Sequence, residues 1–240
     1  MVQKVKYILS RGAEERVGRR VKIKVGHGGT LDPMAEGVLV LGVGQGTKLM
    51  TDFLKGGKGY RATARLGFET NTLDSTGNAT TSVDSGHVTR GVLESHLPSF
   101  TGDIMQVPPM FSALKKDGKR LYELARQGKE VEREARPVAV AALSLSEGEV
   151  GSDGHFGLEI ESSGGFYVRT LIEDLARSAG GAAHMTALLR TKQGLFLLDD
   201  CLLQPDWSYE SIVAGLHQGN AKAGLNGLRG AVLLDPNLPS

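Results

Sequence analysis

A glycine-rich stretch from Val25 to Lys48, VGHGGTLDPMAEGVLVLGVGQGTK, constrains the fold of this chain more than any other segment. The glycines near its start are Gly26, Gly28 and Gly29, and glycine permits positive φ angles and close approach of the backbone to a ligand. Pro33 disfavours the α region for Asp32, which we therefore expect in an extended or turn conformation. The apolar run Val38–Val43 predicts a buried strand. Asp32 should therefore project from a shaped loop that leads into the core, as site residues commonly do.

Two other interpretations of this stretch need weighing. An Asp before a proline is most often a turn-former or a helix cap. A phosphate-binding P-loop is excluded, because Lys48 follows Thr47 rather than a glycine, and no G-x-G-x-x-G begins at Gly26 or Gly42. A generic anion-binding nest of backbone amides stays open.

The segment after this stretch, KGYRATARLGFET, alternates apolar and polar residues and predicts a half-buried strand. Tyr60 lies on its apolar side, where an aromatic ring commonly serves the core. Residues 69–81, ETNTLDSTGNATT, are polar and predict a loop. The DSTG sequence within them has one residue too many for the aspartic-protease motif and has no second copy, so that function is rejected.

Residues 115–136 carry eight Lys or Arg against five Asp or Glu, a local excess of three positive charges. A solvated hairpin with mixed charges would explain this composition. The excess also suits a phosphate backbone, as does the basic segment Arg16–Lys24, which could equally be a solvated edge.

A third segment, ESSGGFYVRTLIEDLARSAGGAAHMTALLRTKQGLF, places Arg169 in a half-apolar surrounding beside a glycine pair. A buried guanidinium without a partner is costly, so Arg169 needs a carboxylate. Glu173 and Asp174 are the local candidates.

The composition is ordinary for a soluble globular protein, with 40% hydrophobic and 23% charged residues in 240. The single cysteine, Cys201, excludes an internal disulfide framework and indicates a reducing, intracellular compartment. No apolar run approaches the ~20 residues that span a bilayer, and His87 and His96 lack metal-ligand spacing. With a net charge of +1, any nucleic-acid binding must come from local basic patches.

The expected fold is α+β, with a mixed, mostly antiparallel sheet flanked by helices, because strands cluster rather than alternate with helices. We expect one catalytic domain over residues 1–203 and a C-terminal tail over 204–240 without a separate RNA-binding domain, the tail ending in a loose C-terminus, LLDPNLPS. Helices are predicted at residues 2–10, 49–54, 87–98, 121–128, 170–178 and 209–216, and further strands at 138–145 and 156–161.

Four motifs in order resemble the TruB family of tRNA pseudouridine synthases, over roughly residues 2–200. They are GHGGTLDPMAEGVLVLGVGQGTK, KGY with ARLG, QVPPMFSALK with YELARQG, and GFYVRTL with AHMTALLR. The Gly-Gly after His27 resembles the eukaryotic-type branch. Two departures stand out: the family's N-terminal strand and Lys-Pro-x-Gly segment are missing, and Leu189 replaces the first Arg of a frequent Leu-Arg-Arg.

The resemblance implies conversion of uridine to pseudouridine, expected at U55 in the T arm of tRNA, by base flipping and without cofactor or metal. It implies that Asp32 is the nucleophile, attacking either the uracil ring or C1′ of the ribose, and that Arg169 pairs with it. Tyr60 would stack on the flipped base. The implied substrate-binding residues are His27, Lys48, Lys115, Arg126, Tyr167 and Leu188.

The expected partner is tRNA, with messenger RNA as a possible second substrate, bound by an intracellular, monomeric enzyme that is not associated with a membrane. Two alternatives stay open. One is a guide-RNA-dependent synthase of the dyskerin type, which normally carries a further RNA-binding domain. The other is a tRNA-binding folding chaperone without catalysis, against which the joint presence of Asp32, Tyr60 and Arg169 argues.

Overall fold

The computed structural model describes residues 1–224 and 231–235. The chain forms two compact units, a terminal unit made of Met1–Gly59 and Leu189–Ser240 and a central unit made of Tyr60–Leu188. The boundary predicted at residue 203 has no counterpart in this division, since residues 189–240 group with the first 59 residues.

The helices are α1 Val2–Val17, α2 Met50–Lys55, α3 Arg90–His96, α4 Leu121–Ala125, α5 Val168–Ser178 and α6 Tyr209–Lys222. The first strands are β1 Val25–His27, β2 Glu36–Gly37, β3 Leu39–Val43, β4 Lys58–Leu66, β5 Phe68–Thr70, β6 Ala79–Ser82 and β7 Gly102–Gln106. The remaining strands are β8 Lys115–Lys116, β9 Lys119–Arg120, β10 Arg136–Leu145, β11 His155–Ser162, β12 Ala183–Gln193, β13 Phe196–Leu197, β14 Leu202–Leu203 and β15 Ala231–Asp235.

The sheet of the terminal unit has the order β1-β3-β15-β14, with β3 antiparallel to both β1 and β15. The predicted buried strand after Asp32 is confirmed in β3, whose alternate residues enter two apolar clusters, as the two faces of a strand require. One cluster consists of Val5, Leu9, Leu39, Leu41, Ile212 and Leu216. The other consists of Val38, Val40, Met50 and Phe196.

Both ends of the chain are more regular than expected. The N-terminal helix runs to Val17 rather than to residue 10, and ends where Gly18 adopts a left-handed conformation with φ 67°. Helix α6 runs to Lys222, and Ser208 caps its first turn by accepting a hydrogen bond from Ser211 N. The prediction of a loose C-terminus is wrong for Ala231–Asp235, because this segment pairs with β3.

The strands of the central unit follow the order β12-β4-β11-β10-β7. The alternation predicted for residues 58–70 is confirmed in β4, where Tyr60, Ala62 and Ala64 are buried and Arg61 and Arg65 are exposed. The strands predicted at 138–145 and 156–161 correspond to β10 and β11, which pair antiparallel. Residues 69–81 differ from the predicted loop, since their two ends form the β5–β6 hairpin.

These sheets combine antiparallel and parallel pairs and are accompanied by helices, so the α+β prediction is confirmed. Helix α5 begins at Val168, two residues before its predicted start, and this places Arg169 inside a helix rather than in extended chain. Within residues 1–224 and 231–235, no helix combines the length and apolar character needed to cross a bilayer.

Candidate active site

The loop that carries Asp32, here called the Asp32 loop, comprises residues 28–38 between β1 and β3. Ala35 N donates a hydrogen bond of 2.9 Å to the main-chain oxygen of Asp32, so the Asp-Pro pair forms a tight turn as its sequence predicts. Asp32 itself is partly exposed. His27 is exposed at the start of the loop, and its Nδ1 accepts a bond of 3.3 Å from Gly29 N.

Two fully buried polar side chains of β12 hold the backbone of the Asp32 loop. Arg190, 1% exposed, donates from Nε to the carbonyl oxygen of Val38 at 2.6 Å and from Nη2 to that of Gly29 at 3.3 Å. Gln193, 0% exposed, donates from Nε2 to the carbonyl oxygen of Gly28 at 2.6 Å and accepts from Val40 N at 3.0 Å. Both ends of the loop are thereby bonded to one strand.

Two glycines of the loop leave no room for a side chain. Gly37 has φ +99°, and a Cβ there would lie 2.2 Å from the carbonyl oxygen of Arg190. A Cβ at Gly28 would lie 2.5 Å from the Cβ of Phe53. Of the three glycines singled out in the sequence, Gly29 alone has a positive φ, 144°. Gly28 is required for a different reason, because its backbone lies close to the side chain of Phe53.

Lys58 is a third buried polar group next to this loop, at 6% exposure. Its Nζ donates to the carbonyl oxygens of Phe53, Leu54 and Gly56 at 3.2, 2.9 and 2.8 Å, where helix α2 ends. A cation at a helix C-terminus satisfies carbonyl groups that the helix leaves without partners. Burial, together with the nearby positive charge of Arg190, lowers the pKa of Lys58 to about 8.

Arg169 is almost completely buried in the central unit, at 4% exposure. Its Nη1 donates to the carbonyl oxygen of Thr72 at 2.9 Å, and its Nη2 donates to that of Phe111 at 3.0 Å. The guanidinium therefore links the loop after β5 to the loop after β7. Of the two local carboxylates considered from the sequence, Glu173 pairs with Arg177 at 2.8 Å.

The loop that accepts the first of these bonds has its own internal support. Asp74, 4% exposed, accepts bonds from Thr72 Oγ1 at 2.7 Å, from Thr76 N at 2.9 Å and from Thr76 Oγ1 at 2.5 Å. Leu73 sits between these residues at φ 63°, a conformation that side chains with a Cβ rarely adopt. The DSTG sequence rejected as a protease motif is thus a structural turn.

Tyr167 immediately precedes helix α5 and is held by Gln106. Gln106 Nε2 donates to the carbonyl oxygen of Tyr167 at 3.0 Å, and Tyr167 N donates to Gln106 Oε1 at 2.8 Å. Tyr60 on β4 and Leu188 on β12 are buried at 8% and 7% exposure. The burial of Tyr60 agrees both with a ring in the core and with a ring in the wall of a pocket.

The basic residues that are predicted to contact RNA phosphates are all exposed, as such contacts require. Lys48 follows β3, and Lys115 opens the β8–β9 hairpin opposite Arg120. Arg126 ends helix α4, with its guanidinium 5.5 Å from the centre of the Tyr122 ring. Within the part of the chain that the structure describes, no group of three or more His, Cys, Asp and Glu side chains could hold a metal ion.

The predicted site residues divide between the two units. Asp32, His27 and Lys48 belong to the terminal unit. The residues in the central unit are Tyr60, Lys115, Arg126, Tyr167, Arg169 and Leu188. The pairing of Asp32 with Arg169 joins one residue of each unit and stays a prediction. The sequence does not predict the support of the Asp32 loop by Arg190 and Gln193, since neither has local neighbours that indicate burial.

Comparison with known proteins gives consistent matches. A model described as TruB family pseudouridylate synthase (N terminal domain) matches residues 16–168. Pseudouridylate synthase TRUB1 of Homo sapiens is 45% identical over 200 residues, which are 82% of this chain and 56% of that protein. A tRNA pseudouridine synthase B of Bacteroides thetaiotaomicron is 42% identical over 188 residues, which are 78% of each chain.

A crystal structure of a Cbf5-Nop10-Gar1 complex has a chain with a TM-score of 0.53 and 22% identity, covering 90% of this chain and 52% of that one. At this identity the likeness shows the fold. The chain spans little more than half the length of its TRUB1 relatives. The family predicted from the four motifs is confirmed by these matches: the chain belongs to the TruB family of pseudouridylate synthases.

Proposed function

We propose that this chain isomerises uridine to pseudouridine in RNA, with U55 in the T arm of tRNA as its target. The observation that carries the proposal is the Asp32 loop. It has the family's signature residues, it forms a turn at Asp32, and two fully buried side chains hold both of its ends. The relatives at 42–45% identity, pseudouridylate synthase TRUB1 and a tRNA pseudouridine synthase B, support the same reaction.

The reaction exchanges one bond of the nucleoside for another. The bond between N1 of uracil and C1′ of ribose breaks, the base turns over, and a bond between C5 and C1′ forms. C5 then loses its proton and N1 gains one, so atoms and electrons balance without an oxidant or a reductant. A target uridine within a folded stem-loop has to be flipped out of its stack to be reached.

Asp32 serves as the nucleophile, adding either to C6 of the uracil or to C1′ of the ribose. Arg169 would orient the carboxylate, because a guanidinium can donate two hydrogen bonds in a fixed geometry to one carboxylate. The bonds of Arg169 to Thr72 and Phe111 support this role, since they fix the guanidinium in place. Tyr60 would stack on the flipped base and take part in removal of the C5 proton.

The remaining predicted residues would bind the RNA. Tyr167 and Leu188 would form walls for the flipped base, and His27 would occupy the space that the base leaves in the RNA. Lys48, Lys115 and Arg126 would contact phosphates, which position an RNA without reading its sequence. Messenger RNAs that fold into a similar stem-loop are further substrates in this proposal. An RNA substrate and a single cysteine both support an intracellular location.

The decisive experiment incubates the purified chain with an unmodified tRNA transcript and locates new pseudouridine by carbodiimide mapping. Wild-type protein should modify the transcript at one position, whereas Asp32→Asn, which keeps the shape but not the charge, should not. Both should bind the transcript. Asp52→Asn is a matched control, because Asp52 is an exposed carboxylate on α2. Equal modification by the Asp32→Asn and wild-type proteins would remove Asp32 from the proposed role.

A further inference from the structure

The first 24 residues carry a disproportionate share of the positive charge. They contain eight Lys or Arg and two Glu, a net charge of +6, whereas the whole chain carries +1. The remaining 216 residues therefore carry a net −5. A near-neutral protein thus has one strongly basic segment, in which α1 carries a net +2 and residues 18–24, which follow the helix, carry +4. A basic segment of this kind is the electrostatic footprint expected of a polyanion-binding surface.

Helix α1 and the segment that follows it enclose a surface groove of about 930 Å³, here called the α1 groove. Its lining residues are Lys6, Tyr7, Ser10, Arg11, Glu14, Glu15, Arg20, Val21 and Lys22. Across the described residues, Lys6, Arg20 and Lys22 form no ion pair with any acidic group. Three cations on the two sides of the groove are thus available to a bound anion.

The acidic residues of the groove only partly offset these cations. Glu15 is paired with Arg11, whose Nε lies 3.2 Å from its Oε1. Arg11 also donates from Nη1 to the hydroxyl oxygen of Tyr7 at 2.9 Å, which holds the tyrosine in place. Tyr7 is 61% exposed, an unusual position for a large aromatic ring. The groove therefore combines cations with an oriented, accessible aromatic face.

Helix α1 is anchored firmly on its other side. Val5 and Leu9, at 0% and 2% exposure, enter the core cluster that includes β3 and α6. The ring of Tyr209 lies against Gly12, where a Cβ would be 2.3 Å from a ring carbon. The guanidinium of Arg16 stacks 4.0 Å from the same ring and pairs with Glu210. Helix α1 consequently forms a firmly supported side of the groove.

The apolar face of α1 is buried in the core, and this burial indicates which kind of polyanion the groove binds. An amphipathic helix binds a membrane by inserting its apolar side into the lipid. In α1 that side is already packed in the core, so a lipid surface would gain only electrostatic contacts. A strand of RNA offers phosphates for the cations and bases for the ring, and base stacking on aromatic side chains contributes substantially to binding of unpaired RNA.

We propose that the α1 groove is a second RNA-binding surface, in which Lys6, Arg20 and Lys22 contact phosphates and Tyr7 stacks on an unpaired base. The inference rests on the proposed function for the identity of the polyanion. Lys6 and Tyr7 precede the segment matched by the family model, which begins at residue 16, whereas Arg20 and Lys22 lie just inside it. The groove would therefore extend RNA recognition beyond the residues assigned to the target uridine.

A binding experiment tests the phosphate contacts. The variant with Lys6→Gln, Arg20→Gln and Lys22→Gln combined should bind an unmodified tRNA transcript more weakly than wild type, by roughly 10-fold or more at about 100 mM KCl. The slope of log affinity against log salt should become shallower by about two, since each lost phosphate contact removes slightly less than one unit.

The control for this variant removes three other exposed charges, with Lys55→Gln, Arg61→Gln and Arg65→Gln combined. Its affinity and salt slope should stay near those of wild type. Equal affinity and equal slope for the groove variant and wild type would overturn the inference. A loss of the same size in the control variant would also overturn it, because the effect would then be one of net charge.

The stacking contact is tested separately with a blunt RNA duplex and the same duplex carrying an unpaired oligouridine tail. Wild-type protein should prefer the tailed duplex, Tyr7→Ala should lose this preference, and Tyr7→Phe, which keeps the ring, should retain it. An unchanged preference in Tyr7→Ala would remove the stacking role. Because Tyr7 is exposed, this variant should fold even where the triple variant does not.

Vesicles that contain phosphatidylserine serve as the competing probe. The inference would be overturned in favour of a membrane surface by two results together. Wild type would co-sediment with the vesicles and the triple variant would not, while the triple variant would bind RNA as tightly as wild type. These readouts are equilibrium affinities and are independent of catalysis. Failure of the proposed function would show as a wild-type protein that makes no pseudouridine, whatever the affinity of the groove for RNA.

Discussion

Gln193 Nε2 donates a hydrogen bond of 2.6 Å to the carbonyl oxygen of Gly28, across 165 residues of sequence. The same side chain accepts from Val40 N, so one amide bonds to both β3 and the start of the Asp32 loop. Because Gln193 is fully buried, its removal would deprive two buried backbone groups of their partner. The loop that carries the proposed nucleophile is therefore supported by a residue far from it in the chain.

The first prediction concerns this support. Gln193→Ala should lower the free energy of unfolding by about 2–4 kcal/mol, because it leaves a carbonyl oxygen and an amide of the backbone buried without partners. Turnover should fall more than RNA affinity, since the change loosens the loop that carries the proposed nucleophile. Urea denaturation and single-turnover assays measure the two effects. Gln3→Ala, an exposed change on α1, should alter neither, and a Gln193→Ala protein with wild-type stability would contradict the prediction.

Gly37 should not tolerate alanine. The substitution forces a positive φ on a residue with a Cβ and brings that Cβ to 2.2 Å from the carbonyl oxygen of Arg190. A loss of about 2 kcal/mol or more is expected from strain and displacement of backbone. Gly91→Ala is the matched control, because Gly91 lies in α3 with open space around its Cβ position. There alanine should stabilise by roughly 0.5–1 kcal/mol, and equal effects at the two sites, measured by thermal unfolding, would contradict the argument.

The lowered pKa of Lys58 predicts that the stability of the folded chain depends on pH. Its pKa is about 8 in the folded chain against 10.5 for an ordinary lysine, so between these values the unfolded chain binds more protons than the folded one. The free energy of unfolding should therefore rise with pH over this window, by up to about 1.4 kcal/mol per pH unit. Because other groups titrate in the same range, the quantity to compare is the difference between wild type and Lys58→Met in urea denaturation. Parallel pH curves for the two proteins would show that Lys58 does not titrate there.

Arg169 should matter more for turnover than for RNA affinity. Arg169→Ala removes the group that links Thr72 to Phe111 and that is proposed to orient Asp32. Arg169→Lys should rescue little, because a single ammonium lacks the planar fork that reaches both carbonyl oxygens. Filter binding and single-turnover kinetics separate the two quantities. Comparable losses of both would recast Arg169 as a binding residue.

Arg177→Ala is the control on the same helix. Arg177 pairs with Glu69 and Glu173, and its loss leaves the buried Glu69 without this partner. This variant should lose stability while the turnover of its folded fraction stays near that of wild type. Thermal unfolding and active-site titration distinguish this result from the one expected for Arg169.

Local patterns account for much of what could be predicted from the sequence. The alternation in β4 and the apolar run in β3 depend on which side chains face the core, and this is visible in consecutive residues. The support of the Asp32 loop is different. Arg190 and Gln193 are polar, lie more than 150 positions from their acceptors, and have no local signal of burial. For Arg169, the pair Gly164-Gly165 and the alternating apolar and polar residues after it favour extended chain, whereas the structure places this residue in helix α5.

The pairing of β3 has a consequence for how the chain is made. One neighbour of this strand, β1, precedes it by a few residues, whereas the other, β15, is formed by residues 231–235. During translation β3 therefore lacks one partner until residues 231–235 have been made and have left the ribosome. Contacts of such long sequence separation form slowly. The central unit, whose residues 60–188 are contiguous, can therefore complete its fold before β3 gains its second partner.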